Sequence, residues 1–124
     1  MNDDLKDAET WFKTASSVME ENPRVACAQF SHAMIKALDA LFKEKLGRTP
    51  GKHDQAVDYF KELLQKNLIK SEESKYRRSI QQILQKKSTA EYHTEYFSKS
   101  DAVKWRKKVK RIMDMVKRYV EDEE

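Results

Sequence analysis

Gly47, Gly51, Pro23 and Pro50 are the only glycines and prolines among 124 residues, and three of them fall in the single stretch Gly47-Arg-Thr-Pro-Gly51. A β-sandwich or barrel reverses direction every few residues, and its turns draw on glycine and proline for conformations other residues avoid. A chain this poor in both closes its core with long helices and few connections, so an all-α fold is predicted. Charged residues reach 37%, but 10% aromatic content supplies the bulk of a core and argues against disorder. The length suits one domain, expected over residues 1–120, followed by an acidic mobile tail over 121–124 whose carboxylates repel the negative end of the last helix. No apolar run approaches a membrane span and no signal-peptide pattern opens the chain. The lone Cys27 forms no internal disulfide, so a buried thiol in a reducing, cytoplasmic setting is expected.

Five helices follow from periodicity and capping. Asn2 caps the first, with Asp3 and Asp4 at its positive start, and its stripe is Leu5, Ala8, Trp11, Phe12, Ala15, Val18 and Met19. Asn22-Pro23 opens a second helix that runs to Leu46 and stops at Gly47. Its main stripe holds Phe30, Met34, Leu38 and Leu41. A second seam of Ala28, Ser31, Ile35 and Phe42 makes it either the centre of a bundle or half of a dimer interface. A short third helix is predicted from about His53 to Asn67, capped by His53 or Asp54. A fourth is predicted from a Ser71 cap to a frayed end near Glu95, and a fifth from the capping box Ser98-Lys-Ser-Asp101. Trp11, Phe30, Leu38, Phe60, Ile83, Trp105 and Ile112 form the expected core.

Charge is more informative in its placement than in its total of +4. Lys99 to Arg118 holds nine lysines and arginines against two aspartates, which suits either phosphate binding or the solvated face of an amphipathic helix. The three histidines are scattered and fit no metal-ligand spacing, no glycine-rich phosphate loop is present, and no cofactor is expected. Two constellations stand out. Arg48, Lys52 and His53 crowd the start of the third helix, where free backbone N–H groups favour an anion. In the fourth helix the stripe Tyr76, Ile80, Ile83, Leu84 continues onto Lys87, then Ala90 and Glu91. A lysine and a carboxylate therefore stand four apart where apolar residues are due, followed by Tyr92 and His93.

The run RVACAQFSHAMIKALDALFKEKLGRTPGKHDQAVDYF resembles the first half of a small prokaryotic HEPN (higher eukaryotes and prokaryotes nucleotide-binding) domain. The later KSTAEYH and SKSDAVKW resemble that family's Arg-x-x-Ala-Asp-Tyr helix end and Ser-x-Asp-Ala opening of the last helix. The resemblance implies an up-and-down bundle of about five helices, usually dimeric, often a toxin or partner encoded with a nucleotidyltransferase. Its ribonuclease members pair an arginine with a histidine across four to six intervening residues. Lys87 and His93 are the catalytic positions it implies, with Glu91 and Tyr92 beside them. Here lysine replaces arginine, so the planar bidentate fork is lost. Arg48 and His53 match the spacing but fall in the loop before the third helix, away from the motif's usual place.

These readings give a non-catalytic HEPN-like binding or regulatory domain, a homodimer engaging a nucleotide, RNA or a nucleotidyltransferase-type partner. The alternatives are a metal-independent ribonuclease using His93 and Lys87, and a non-specific nucleic-acid binder using the basic last helix.

Overall fold

The computed structural model describes residues 2–92 and 96–120, and side chains other than those at 88, 89, 91 and 92. Among these it contains five α-helices and no strand: α1 (Asp3–Val18), α2 (Pro23–Leu46), α3 (Ala56–Gln65), α4 (Arg77–Tyr92) and α5 (Lys99–Val120). The expected fraying near Glu95 and the acidic tail 121–124 lie outside the described residues.

Local chemistry accounts for most boundaries. The Asn2 and Asn22 side chains accept hydrogen bonds from the Leu5 and Val25 N–H groups at 3.1 and 3.2 Å, satisfying donors that a helix start leaves free. Gly47, with φ of 72°, closes α2 in the left-handed conformation that glycine reaches without strain. Asn67 does the same for α3 at φ 56°, and the Leu68 and Asn67 N–H groups return to the Leu63 and Leu64 carbonyls in a Schellman arrangement.

Two capping expectations need correction. Ser71 does not cap the fourth helix. A 3-10 segment, Ser71–Tyr76, precedes α4, its cap position is Lys70, and Glu73 within it is buried. Likewise His53 and Asp54 lie inside a 3-10 turn, His53–Gln55, that leads into α3 with no side-chain cap.

α2 is the axis of the bundle, with α1, α3, α4 and α5 all packing against it. Asp4 meets Lys43 and Glu9 meets Lys117, so α1 runs antiparallel to both α2 and α5. The core runs along α2 through Phe30, Met34, Leu38, Leu41 and Phe42, with Leu5, Phe60, Ile80, Ile83 and Ile112 packed around them. The second seam of α2 is therefore not an open dimer face. Ser31, Ile35 and Phe42 are buried within one chain, because α1, α4 and α5 surround the helix. Trp11 also departs from expectation. It is 37% exposed at the edge of the α1 stripe, its ring tilted over His32 at a centroid distance of 5.0 Å.

Candidate functional site: a basic groove between α4 and α5

α4 and α5 each dock on α2 but make few direct contacts with one another, and a groove opens between them. Early residues of α4 face late residues of α5, so the two helices are antiparallel across it. One basin, of about 260 Å³, lies between Gln82, Ile83, Gln85 and Lys86 of α4 and Asp101, Lys104, Trp105 and Lys108 of α5. The second, of about 480 Å³, lies between Lys75, Tyr76 and Ser79 and the α5 residues Lys108 and Arg111. Lys108 belongs to both, and its Nζ crosses the gap to donate to Gln82 Oε1 at 3.2 Å.

Five cationic side chains, Lys75 from the 3-10 segment, Lys86 from α4 and Lys104, Lys108 and Arg111 from α5, thus converge on one cleft, against a single carboxylate among the described residues. That carboxylate, Asp101, is already engaged as a helix cap. It accepts from the Ser98 N–H at 2.9 Å, while the Asp101 N–H donates to Ser98 Oγ at 3.0 Å. The Ser98 amide holds its carboxyl below the usual range, helped by the Ser98 hydroxyl and the charges of Lys104 and Lys86. The groove consequently presents a positive field over an apolar floor of Ile83 and Trp105, which suits an anion carrying flat apolar parts. Phe97 meets Trp105 edge-on at 6.0 Å and fixes that wall.

One end of the groove is held by a buried polar network that no local sequence signal announces. Glu73 is 2% exposed, and it accepts from Tyr119 OH at 2.6 Å and from Arg118 Nη2 at 3.1 and 3.2 Å. Tyr119 OH in turn accepts from the Lys70 N–H at 3.0 Å. Burial and the bond to Glu73 push the Tyr119 hydroxyl above its ordinary pKa. Burial works against the Arg118 charge, but Glu73 outweighs it and holds the guanidinium above its ordinary value. The network ties the 3-10 segment, and with it Lys75 and Tyr76, to the end of α5.

The residues singled out from sequence fall at two separate ends of the molecule. Lys87 is half-buried on α4, next to the groove residue Lys86, and Ala90 is fully buried, so the apolar stripe does continue past the lysine. The end of α4 is anchored by a residue the sequence did not single out. Arg24, in the first turn of α2, donates from Nη1 to the Ala90 carbonyl at 2.7 Å. The side chains of Glu91 and Tyr92, and His93 altogether, lie outside the described residues.

Arg48, Lys52 and His53 sit beyond the opposite end of α2, whose 24 residues span about 36 Å. Arg48 is committed to Glu62 at 2.7 and 2.8 Å and lies over the Tyr59 ring at 4.7 Å. Lys66 first, then Arg48, hold the Glu62 carboxyl below its ordinary value. Lys52 and His53 are exposed. Burial raises the pKa of Asp39, helped by nearby Asp4 and opposed by Lys36, His53 and Lys43. These three residues are not brought together with Lys87. Cys27 is fully buried, and burial, reinforced by Asp101, pushes its thiol up to about 12, which removes it as a nucleophile.

Among curated proteins none matches the chain at a significant level. The family model for the HEPN domain matches residues 1–119, nearly the full length, over the same five-helix bundle. The chain belongs to the HEPN domain family.

Proposed function

We propose that this HEPN domain is a non-catalytic binding module that takes a phosphate-bearing ligand, a nucleotide or RNA, in the groove between α4 and α5. HEPN domains are linked to nucleotide and RNA binding and to ribonuclease activity. One observation carries the reading here: five cations from α4, α5 and the 3-10 segment before α4 converge on a cleft whose only carboxylate among the described residues is already spent on capping α5. Three of the cations, Lys104, Lys108 and Arg111, come from the basic last helix, so the charge run noted in the sequence becomes one wall of a site. Binding dominated by phosphate contacts falls steeply with salt and shows little base preference.

Retention of labelled RNA, measured by fluorescence anisotropy in EDTA across a salt series, tests the proposal. Lys108→Ala with Arg111→Ala is expected to weaken binding and flatten the salt slope by about two contacts, with helical content unchanged. Cleavage of the RNA in EDTA would refute the non-catalytic part, and salt-independent retention would refute the phosphate-binding part. HEPN domains often dimerise. Because the second seam of α2 is covered within one chain, a homodimer of this domain would use outer surfaces of the bundle, and light scattering reads its mass.

A further inference from the structure

The groove is longer than one phosphate requires, and its two basins differ in chemistry. Lys104, Lys108 and Arg111 stand on successive turns of α5, spread over about 10 Å of helix. Lys86 faces one end of that row and Lys75 the other. Trp105 in the first basin is only 8% exposed, so the more open aromatic face belongs to the second. Tyr76 lines it half-buried, with Lys75 Nζ 5.4 Å from the ring centroid. The first basin offers amides instead, Gln82 and Gln85, which can donate to and accept from a base edge. Lys108 stands at the junction.

Resting on the phosphate-binding reading, we infer that the groove is a two-subsite track for a single polynucleotide strand. One base stacks on Tyr76, the linking phosphate lies on Lys108, and the neighbouring nucleotide occupies the amide-lined basin. A mononucleotide fills one basin and leaves two of the five cations unused. A duplex supplies phosphates in plenty but keeps its bases stacked inside, so it presents no free ring to Tyr76. Stacking is indifferent to base identity, since every base has a π face, so the track reads strandedness and length rather than sequence.

The experiment compares uridine monophosphate, single-stranded oligouridylates of two, four and eight residues, and an eight-base-pair RNA duplex, by anisotropy or competition in EDTA at one fixed salt. Wild-type protein is expected to bind the four-mer at least about ten-fold more tightly than the monophosphate, and the duplex more weakly than the eight-mer. Tyr76→Leu, which keeps apolar bulk but removes the ring, is expected to lose at least about five-fold for the oligomers and nothing for the duplex. Tyr76→Phe should restore the wild-type affinity, and circular dichroism confirms that both variants are folded. Equal affinity for monophosphate and oligomer, or for duplex and single strand, overturns the two-subsite track while leaving phosphate binding intact. Unchanged oligomer binding in Tyr76→Leu also overturns it. Absence of any binding by the wild type overturns the phosphate-binding reading itself, and the track with it.

Discussion

Glu73→Gln isolates the network at the end of the groove, since the amide keeps the shape of the carboxylate and changes only charge and donor pattern. Glu73 is buried and uses both oxygens, receiving Tyr119 OH at 2.6 Å and Arg118 Nη2 at 3.1 and 3.2 Å. A glutamine keeps one acceptor, and its NH2 group must point at Tyr119, whose oxygen already accepts from the Lys70 N–H, or at Arg118, which only donates. Bonds to a charged group contribute about 1.5–3 kcal/mol and neutral ones about 0.5–1.5 kcal/mol. Arg118 has 52% of its side chain exposed, so water replaces most of what it loses and its share is small. The weakened Tyr119 bond and the misplaced donor each cost about 1 kcal/mol, giving about 2 kcal/mol in total. With an unfolding entropy of about 2.1 cal/mol/K per residue, 124 residues give about 260 cal/mol/K, and Tm falls by about 8 °C. Thermal melts followed at 222 nm read the shift. Tyr119→Phe removes the same donor, so Glu73→Gln combined with Tyr119→Phe should fall short of the sum by about 1 kcal/mol. A Tm within 2 °C of wild type for Glu73→Gln, or strict additivity in the double variant, would refute the network as a holding element.

Three further outcomes follow from single contacts. Asp101→Asn is expected to cost about 1 kcal/mol at pH 7 through loss of the α5 cap. The Ser98 amide lowers the folded-state pKa of Asp101, so the wild-type advantage is full above the unfolded carboxyl value of about 3.9 and fades as pH falls through the lower folded value. Melts at pH 7 and at pH 2–3 should therefore converge, and an undiminished gap in acid would contradict the assignment. Arg24→Met leaves the Ala90 carbonyl without its donor and should cost about 1–2 kcal/mol. Hydrogen exchange should speed up in the last turn of α4, and unchanged protection there would count against the anchor. The Cys27 thiol, pushed up to about 12 by burial, should resist Ellman's reagent at pH 8 in the native protein and react at once in urea. Labelling of the native protein within minutes would show that the site opens.

The fold was legible wherever the signal was local. Asn2, Asn22 and the Ser98–Asp101 box are read correctly because a cap is a contact between residues three apart. Ser71 does not show its role locally, because the 3-10 segment is held by Glu73, whose partners Arg118 and Tyr119 lie more than forty residues away. Trp11 escapes periodicity because it sits at the margin of a stripe, and its burial depends on how closely α2 and α5 flank α1. The two seams of α2 were visible, but choosing between bundle centre and dimer face required knowing that α1, α4 and α5 enclose it. The same holds for the groove. Its α5 wall was apparent as a basic run, whereas Lys75, Tyr76 and Lys86 join it only through the antiparallel pairing of α4 with α5.

The central position of α2 also sets an order of events during synthesis. α1 and α2 are adjacent in sequence and pair as a hairpin as soon as both have emerged, with little loop entropy to overcome. The remaining flanks of α2 stay uncovered until α3, α4 and then α5 are made, and 52 residues lie between Leu46 and Lys99. At about 5–20 residues per second that interval lasts about 3–10 s. Throughout it, the side of α2 that α5 covers stays bare even as α3 and α4 dock, so docking of the last helix is the closing step of folding. A ribosome stalled before Lys99 would hold out the side of α2 that α5 covers, the kind of surface that chaperones bind and that drives aggregation.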